Sequence, residues 1–582
     1  MDIFSILSLV GGLALFLFGM NYMGTSLEKM SGGKLESVLE KMTNNRIKGV
    51  LLGAGVTAVI QSSSAVTVMA VGFVNSGIMT LHQAIGIIMG ANVGTTVTGW
   101  ILSLTGIEST NLFLTLLKPS SFTPVLTLIG VILYVFCKNE KKKDTGSILI
   151  GFSVLMYGME AMSGAVEPLK EVPEFTNLLT MFSNPILGVL AGALLTAVIQ
   201  SSSASVGILQ ALAATGSITV SSAFPIILGQ NIGTCITAII SSVGTSKNAK
   251  RTAVVHLAFN IIGVALAMIL FYGLNALIGL PFIKETVNAA DIAIIHTVFN
   301  IFATVVLFPF GKQIERLACI IVRDRHEQEQ SSLIDERFLI SPSYALDKVK
   351  EKCDKMGELA EENISLCMEF IKVYSKNKDE KIKQNEKELD KCEDELETYL
   401  VKISSMNLNI DDSVKLSKLN HAIGNFERIG DYGVNILKIK RKMHKDNIHF
   451  SKEANRELEI MSRAVKEIVE NSVKAFIEDD IDLAMRIEPL EQVIDNLKAE
   501  LRARHSKRLK EDECSIENGL LFFDVINSFE RIADHCSNLA VCIIELSRRS
   551  YQTHSYLKEV KSNSNPSFMD TFEEYLIKYK VG

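Results

Sequence analysis

TAVIQSSSA occupies Thr57–Ala65, and the same nine letters return at Thr196–Ala204. Gln and three serines are costly to bury in apolar surroundings, yet both copies sit in long uncharged tracts. No Asp, Glu, Lys or Arg occurs over 49–107, 175–246 or 252–283. About 20 apolar residues cross a bilayer, so each tract holds room for at least one span. After Gly311 charged residues recur every few positions. The first half therefore reads as a membrane domain and the second as a soluble one. A net charge of only −6 carries no bulk signature of nucleic-acid binding. Ile3–Tyr22 has no basic leading end and no small-residue cleavage site, so it is expected to be a retained helix and not a signal peptide. The nine cysteines form no CxxC pair and are expected to be free thiols.

Shifted by 139 residues, the chain matches itself without a gap. Gly12, Gly19, Met20 and Met23 fall on Gly151, Gly158, Met159 and Met162; GANVGTT at Gly90–Thr96 falls on GQNIGTC at Gly229–Cys235. From Thr57 to Thr96, 18 of 40 positions are identical, the mark of two copies of one structural unit. Basic residues orient the copies. Lys29–Lys48, Lys138–Lys143, Lys247–Arg251 and Lys312–Arg323 bracket four loops placed inside, whereas 165–185 carries three Glu and one Lys and is placed outside. The copies then enter the membrane from opposite faces. Three apolar segments separate successive inside loops, so one of each three must turn back. The QSSS segments are the expected re-entrant hairpins, since irregular backbone is tolerated at membrane depth where protein or water covers it.

Small residues also serve close helix packing, but packing accepts many permutations and does not require a verbatim duplicate. Inverted repeats with interrupted helices are the architecture of secondary transporters. Gln and Ser offer neutral donors and oxygens together, and helix N-termini favour anions. With no Lys or Arg in the tract, an oxyanion enters only if cations accompany it. Asn92, Thr95, Asn231 and Thr234 add amide and hydroxyl groups nearby. His256 and His296, each four residues before Asn260 or Asn300, read as polar contacts between helices and are left outside the site.

The paired QSSSA blocks, each followed by a GxNxGT word, resemble the type II sodium/phosphate cotransporter family, and its bacterial members in the short outer loop. The resemblance implies sodium-driven uptake of inorganic phosphate. It places Gln61, Ser62, Ser63, Ser64, Gln200, Ser201, Ser202 and Ser203 at the phosphate and sodium sites, with Asn92, Thr95, Asn231 and Thr234 beside them. A membrane-anchored phosphate sensor and a carrier of another oxyanion are the alternatives. An intramembrane serine hydrolase is disfavoured because His82 aligns with Ser221, so no base is duplicated with the serines.

Residues 340–555 read as amphipathic helices with their own repeat. Glu427, Asp431 and Asn435 in ERIGDYGVN recur as Glu530, Asp534 and Asn538 in ERIADHCSN, 103 residues on. Spacing of four keeps all three on one helix face. Asp390 and Asp394, then Glu491 and Asp495, precede them. These ten residues are candidate ligands of a divalent or transition metal; pairing with Arg428 and Arg531 is the other reading. The ERI(G/A)DxxxN words resemble the PhoU family, paired three-helix bundles tied to control of phosphate uptake.

The expected fold is all-α: a polytopic membrane domain at 1–311 with inverted repeats at about 3–137 and 147–310 and two re-entrant QSSS hairpins, a linker at 312–340, a cytoplasmic PhoU-like bundle of two three-helix repeats at 341–555, and a tail at 556–582. The expected setting is the bacterial cell membrane, with phosphate, Na⁺ and lipid as partners, a cytoplasmic regulator or a second copy of the chain as a further one, and no enzymatic activity.

Overall fold

A computed structural model of the chain describes residues 3–31, 34–42, 45–106, 119–168, 172, 181–323, 334–372, 374–406, 408–547 and 566–581. It divides into two compact units, 1–331 with 335–344, and 332–334 with 345–582. Among the described residues both are built from helices, and all nine cysteines are free.

The first unit opens with α1 (Ile3–Ser31), α2 (Lys34–Met42), α3 (Arg46–Ile60), α4 (Ser63–Asn75) and α5 (Leu81–Ser103), followed by α6 (Pro119–Phe136). The second copy runs through α7 (Glu140–Val166), α8 (Pro185–Ile199), α9 (Ser202–Ala213), α10 (Val220–Gly233), α11 (Cys235–Ser241), α12 (Lys247–Ile278), α13 (Ala289–Leu307) and α14 (Gly311–Ile321). Among the described residues, seven stretches are long and apolar enough to cross a membrane; the last, Ala289–Ile321, joins α13 to α14 and carries the helix into the region read as linker. α3, α4, α8 and α9 have 12 to 15 residues each, about 18–22 Å at 1.5 Å per residue, short of a ~30 Å hydrocarbon core.

Glycines fix how the copies meet. A Cβ on Gly19 would lie 2.3 Å from the Leu155 amide nitrogen, and one on Gly158 would lie 2.3 Å from that of Phe16. One on Gly12 would lie 2.8 Å from Met162 nitrogen, and one on Gly151 2.8 Å from Met23 nitrogen. Each contact maps onto its mate by the 139-residue shift. The paired numbers have a constant sum, so α1 and α7 cross antiparallel. Equivalent helices of the two copies thus run in opposite directions, which is the inverted relation the charged loops implied. Only Gly admits such backbone approach without displacing the neighbour.

Within each copy the glycine notches report a parallel pair. Gly90 fits against the Val50 carbonyl and Gly94 against that of Ala54; Gly229 and Gly233 repeat this against Val189 and Ala193. Here the difference in number is constant, so α3 lies alongside α5 in the same direction, and α8 alongside α10. Asn45 and Asn184 cap the entering helices through the Ile47 and Ile186 amides at 3.0 and 3.1 Å.

The second unit has α15 (Pro342–Lys372) from Ala345 onward, α16 (Lys376–Ser404) and α17 (Ile410–Lys445), then α18 (Lys452–Glu478), the single turn α19 (Ile481–Met485), α20 (Ile487–Lys510), α21 (Ile516–Ser547) and, beyond undescribed residues, α22 (Pro566–Lys578). α17 packs on α21 at the centre, with α16 against α17 and α18 and α20 against α21. Phe426 and Phe476 cross rings at 5.2 Å, and the Cys367 thiol donates to Gly433 oxygen at 3.3 Å. Buried Arg508 grips Glu457 with two hydrogen bonds, at 2.6 and 3.0 Å. These are the two three-helix repeats the sequence implied. Most of the SNSNPS stretch lies outside the described residues; α22 is the helix expected after it.

Candidate functional site

The two QSSS words have one geometry. Gln61 ends α3 at φ 62°, ψ 21°, and Gln200 ends α8 at φ 59°, ψ 20°. A left-handed non-glycine residue is uncommon, and clusters of such residues mark ligand sites. Their amides close back to Thr57 and Thr196 oxygens at 2.8 and 2.7 Å. Ser62 and Ser201 then turn extended and cap the next helix, accepting from the Ala65 and Ala204 amides at 3.1 and 3.2 Å. Each word therefore joins the carbonyl end of one short helix to the amide end of another. Cation-seeking and anion-seeking ends meet within four residues.

Ser63, Ser202 and Ser203 are buried; Gln61, Ser62, Ser64 and Ser201 are half-buried, and Gln200 is exposed. The Gln61 carboxamide oxygen accepts from the Thr98 hydroxyl at 2.8 Å, and its nitrogen bonds the Ala58 carbonyl. Gln200 has no such tie to Thr237, whose hydroxyl donates to Thr234 oxygen at 3.0 Å. The Thr57 and Thr196 hydroxyls, one turn before each Gln, are fully buried and make no hydrogen bond to described residues.

The GxNxGT words converge through Asn260. Asn92 Nδ2 donates to Asn260 Oδ1 at 3.0 Å; Asn260 Nδ2 reaches Cys235 Sγ at 3.3 Å, at the end of the second word. Asn231 and the Thr95 and Thr234 hydroxyls bond carbonyls within their own helices. Sequence reading left Asn260 aside because both HxxxN words read as polar contacts between helices. Asn260 and Asn300 each donate to the His carbonyl one turn back, and neither ring nitrogen of His256 has a partner among the described residues. The departing helix of each hairpin packs against the other copy: α4 on α11, and α9 on α5. Gln210 ties α9 down, donating to the oxygens of Gly99 at 3.0 Å and Ala289 at 2.9 Å.

In the second unit Glu386, Asp390 and Asp431 bring carboxylate oxygens within 4.8 Å of one another. Glu386, four residues before Asp390, was missed because Asp390 was paired forward with Asp394 alone. Burial, then the charges of Asp390 and Asp431, raises the Glu386 carboxyl above its usual range; burial, then Asp431 and Asp394, does the same for Asp390. Burial, then Asp431 and Glu393, pushes Glu427 up to about 7. An all-oxygen set under mutual repulsion suits a hard divalent cation. In the first copy Arg428 lies 3.5 Å from Glu427, outside the cluster; the second copy has closer protein cations. Lys498 pairs with Glu530 at 2.9 Å and Arg531 with Asp534 at 3.2 Å, so protein cations already answer those carboxylates. Asp394, Asn435, Glu491, Asp495 and Asn538 are not part of the carboxylate cluster.

Residues 15–164 and 165–304 match the family described as Na⁺/Pi-cotransporter, and 353–439 and 458–543 match the PhoU domain. The YqeW protein of Bacillus subtilis, itself uncharacterized, is 30% identical over 308 residues, 53% of this chain and 95% of its own. YjbB of Salmonella typhimurium, whose name proposes inorganic phosphate export, is 23% identical over 563 residues, 93% of this chain and 98% of its own. Sodium-dependent phosphate transport protein 2A of Rattus norvegicus is 35% identical over 99 residues, 16% of this chain and 15% of its own. The chain belongs to the Na⁺/Pi-cotransporter family, carries a PhoU domain beside it, and is a multi-pass membrane protein of phosphate transport.

Proposed function

We propose that residues 1–311 carry inorganic phosphate across the membrane together with Na⁺, and that the helical domain at 341–555 regulates that transport. The observation that carries this reading is the pair of QSSS tips with the same backbone dihedrals and serine caps in oppositely directed repeats. Each tip offers free helix amides to an oxyanion, and serine, glutamine and carbonyl oxygens to Na⁺. The phosphate ligands are Gln61, Ser62, Ser63 and Ser64 with Gln200, Ser201, Ser202 and Ser203, flanked by Asn92, Thr95, Asn231 and Thr234. The Thr57 and Thr196 hydroxyls, at equivalent buried places and without a hydrogen-bond partner among the described residues, support a Na⁺ site under each tip.

The hairpins are re-entrant in this reading. α3 and α5 run the same way side by side, so α4 must return the chain, and neither α3 nor α4 is long enough to span. Neutral side chains demand co-entry of cations, because a multiply charged anion alone is too costly in a low dielectric. Glu386, Asp390 and Asp431 hold a divalent cation in the regulatory domain.

Phosphate uptake into proteoliposomes under an imposed inward Na⁺ gradient tests coupling. A second reading, export without sodium, is favoured by the name of a relative aligned with 93% of the chain. Phosphate-loaded vesicles that empty at the same rate with and without Na⁺ would establish it.

A further inference from the structure

The segment 335–344 belongs with the membrane unit and grips the far end of α4. A short 3₁₀ turn at Glu336–Ile340 presents Arg337 and Phe338 to Gly72, where a Cβ would lie 3.2 Å from Arg337 Cβ and 3.1 Å from Phe338 Cε1. Phe73, Phe338 and Tyr344 form a buried three-ring cluster with centroids 5.2–5.5 Å apart. Tyr344 donates to Glu40 at 3.1 Å.

Polar contacts close the grip. Asn75, the last residue of α4, donates to the Asp335 carboxylate and accepts from the Ser246 amide at 2.8 Å. Arg337 pairs with buried Asp335 at 2.8 Å and donates from Nε to the Ser241 carbonyl, the end of α11, at 2.7 Å. One segment thereby ties together the end of α4, the end of α11 and the cap of α12. A buried, hydrogen-bonded ion pair of this kind costs most when one partner is removed.

The receiving residues are not duplicated. The 139-residue shift puts Ala211, Leu212 and Ala214 where Gly72, Phe73 and Asn75 stand, so the second hairpin lacks the notch, the ring and the amide. The chain continues from Tyr344 directly along α15, the first helix of the PhoU-like repeats.

We propose that 335–344 is a strap that positions the first QSSS hairpin alone, and is the route by which the regulatory domain biases transport. α4 runs unbroken from Ser63 to Asn75, about 18 Å. A shift of its strapped end is therefore carried to the serine end as a rigid-body movement. Asp335, Arg337 and Phe338 act as positioning residues through α4. The proposal rests on the hairpin being the phosphate site.

The test uses the full chain in lipid nanodiscs and proteoliposomes, with Gly72→Leu, Phe338→Ala and Phe338→Tyr. Hydrogen exchange should quicken about two- to thirty-fold over 63–75 in the first two variants, with 202–213 unchanged, and Phe338→Tyr should restore protection. The apparent phosphate constant should shift by a factor in the same range at wild-type abundance. Loss of protection at 335–344 without any change at 63–75 would overturn the proposal. If Phe338→Ala fails to insert, Gly72→Leu alone decides, since it alters only the notch. Wild-type protein that moves no phosphate would refute the transport reading, while the exchange result would still judge the strap.

Discussion

Removing the Thr98 hydroxyl should reproduce part of the loss of Gln61, although Thr98 lies outside both repeated words. Thr98 is 2% exposed and holds the Gln61 carboxamide at 2.8 Å, from α5 to the end of α3. Hydrogen bonds between membrane helices are worth about 0.6 kcal/mol on average and about 1.7 at most. At ~1.36 kcal/mol per factor of ten, Thr98→Ala should raise the apparent phosphate constant about three- to twenty-fold if the amide must be held in place. Gln61→Ala should do at least as much, and the double variant no more than Gln61→Ala alone, because one interaction cannot be lost twice. Thr237→Ala, the equivalent change in the second copy, supplies the control, since Thr237 bonds its own helix. Initial rates of phosphate flux in proteoliposomes at matched protein abundance measure all four. Additive effects of Gln61→Ala and Thr98→Ala, or equal effects of Thr98→Ala and Thr237→Ala, would refute the reasoning.

Other consequences are direct. Gly19→Ala places a methyl 2.3 Å from Leu155 nitrogen and should destabilise the α1–α7 pair by about 1–3 kcal/mol, whereas Gly11→Ala, with nothing within 4 Å, should be silent; thermal aggregation in detergent separates them. Divalent cation binding to the second unit, read by calorimetry, should weaken as pH falls, because protons compete for the Glu386 and Asp390 carboxyls that burial and their acidic neighbours raise, and be lost in Asp431→Asn; undiminished binding in that variant removes the site. Burial, with Arg508 beside it, pushes His505 down to about 4, against ~6.5 in an unfolded chain. Between those values the unfolded state binds a proton that the folded state refuses, so stability is full above 6.5 and falls as pH drops through the window. Exchange protection in α20 and α21, corrected for intrinsic rates, should fall at pH 5 relative to pH 7, and less so in His505→Gln.

The architecture was legible because it is written twice. A 139-residue shift exposes both copies, and the reciprocal notches at Gly19 and Gly158 show why those glycines had to be kept in each. Loop charge gave the inversion that the antiparallel α1–α7 crossing reports. The QSSS words were legible as a candidate site and as a break in the helix, but the left-handed Gln and the capping Ser were not, since backbone dihedrals at a break are set by tertiary packing. Thr98 and Asn260 stayed hidden because their partners lie 37 and 168 residues away, and no local pattern encodes such pairs. Glu386 carried a signal in its spacing of four from Asp390, which was paired forward with Asp394 alone. The strap straddles the boundary drawn between linker and helical domain at 340, and only tertiary contact reveals its hold on α4.

The measurement that bears most directly on the central claim is phosphate movement into purified-protein liposomes with Na⁺ imposed on the outside only. The account requires labelled phosphate to accumulate above its external concentration, to leave when the gradient is collapsed, and to stay out when K⁺ replaces Na⁺. Equal phosphate movement with either ion would contradict it.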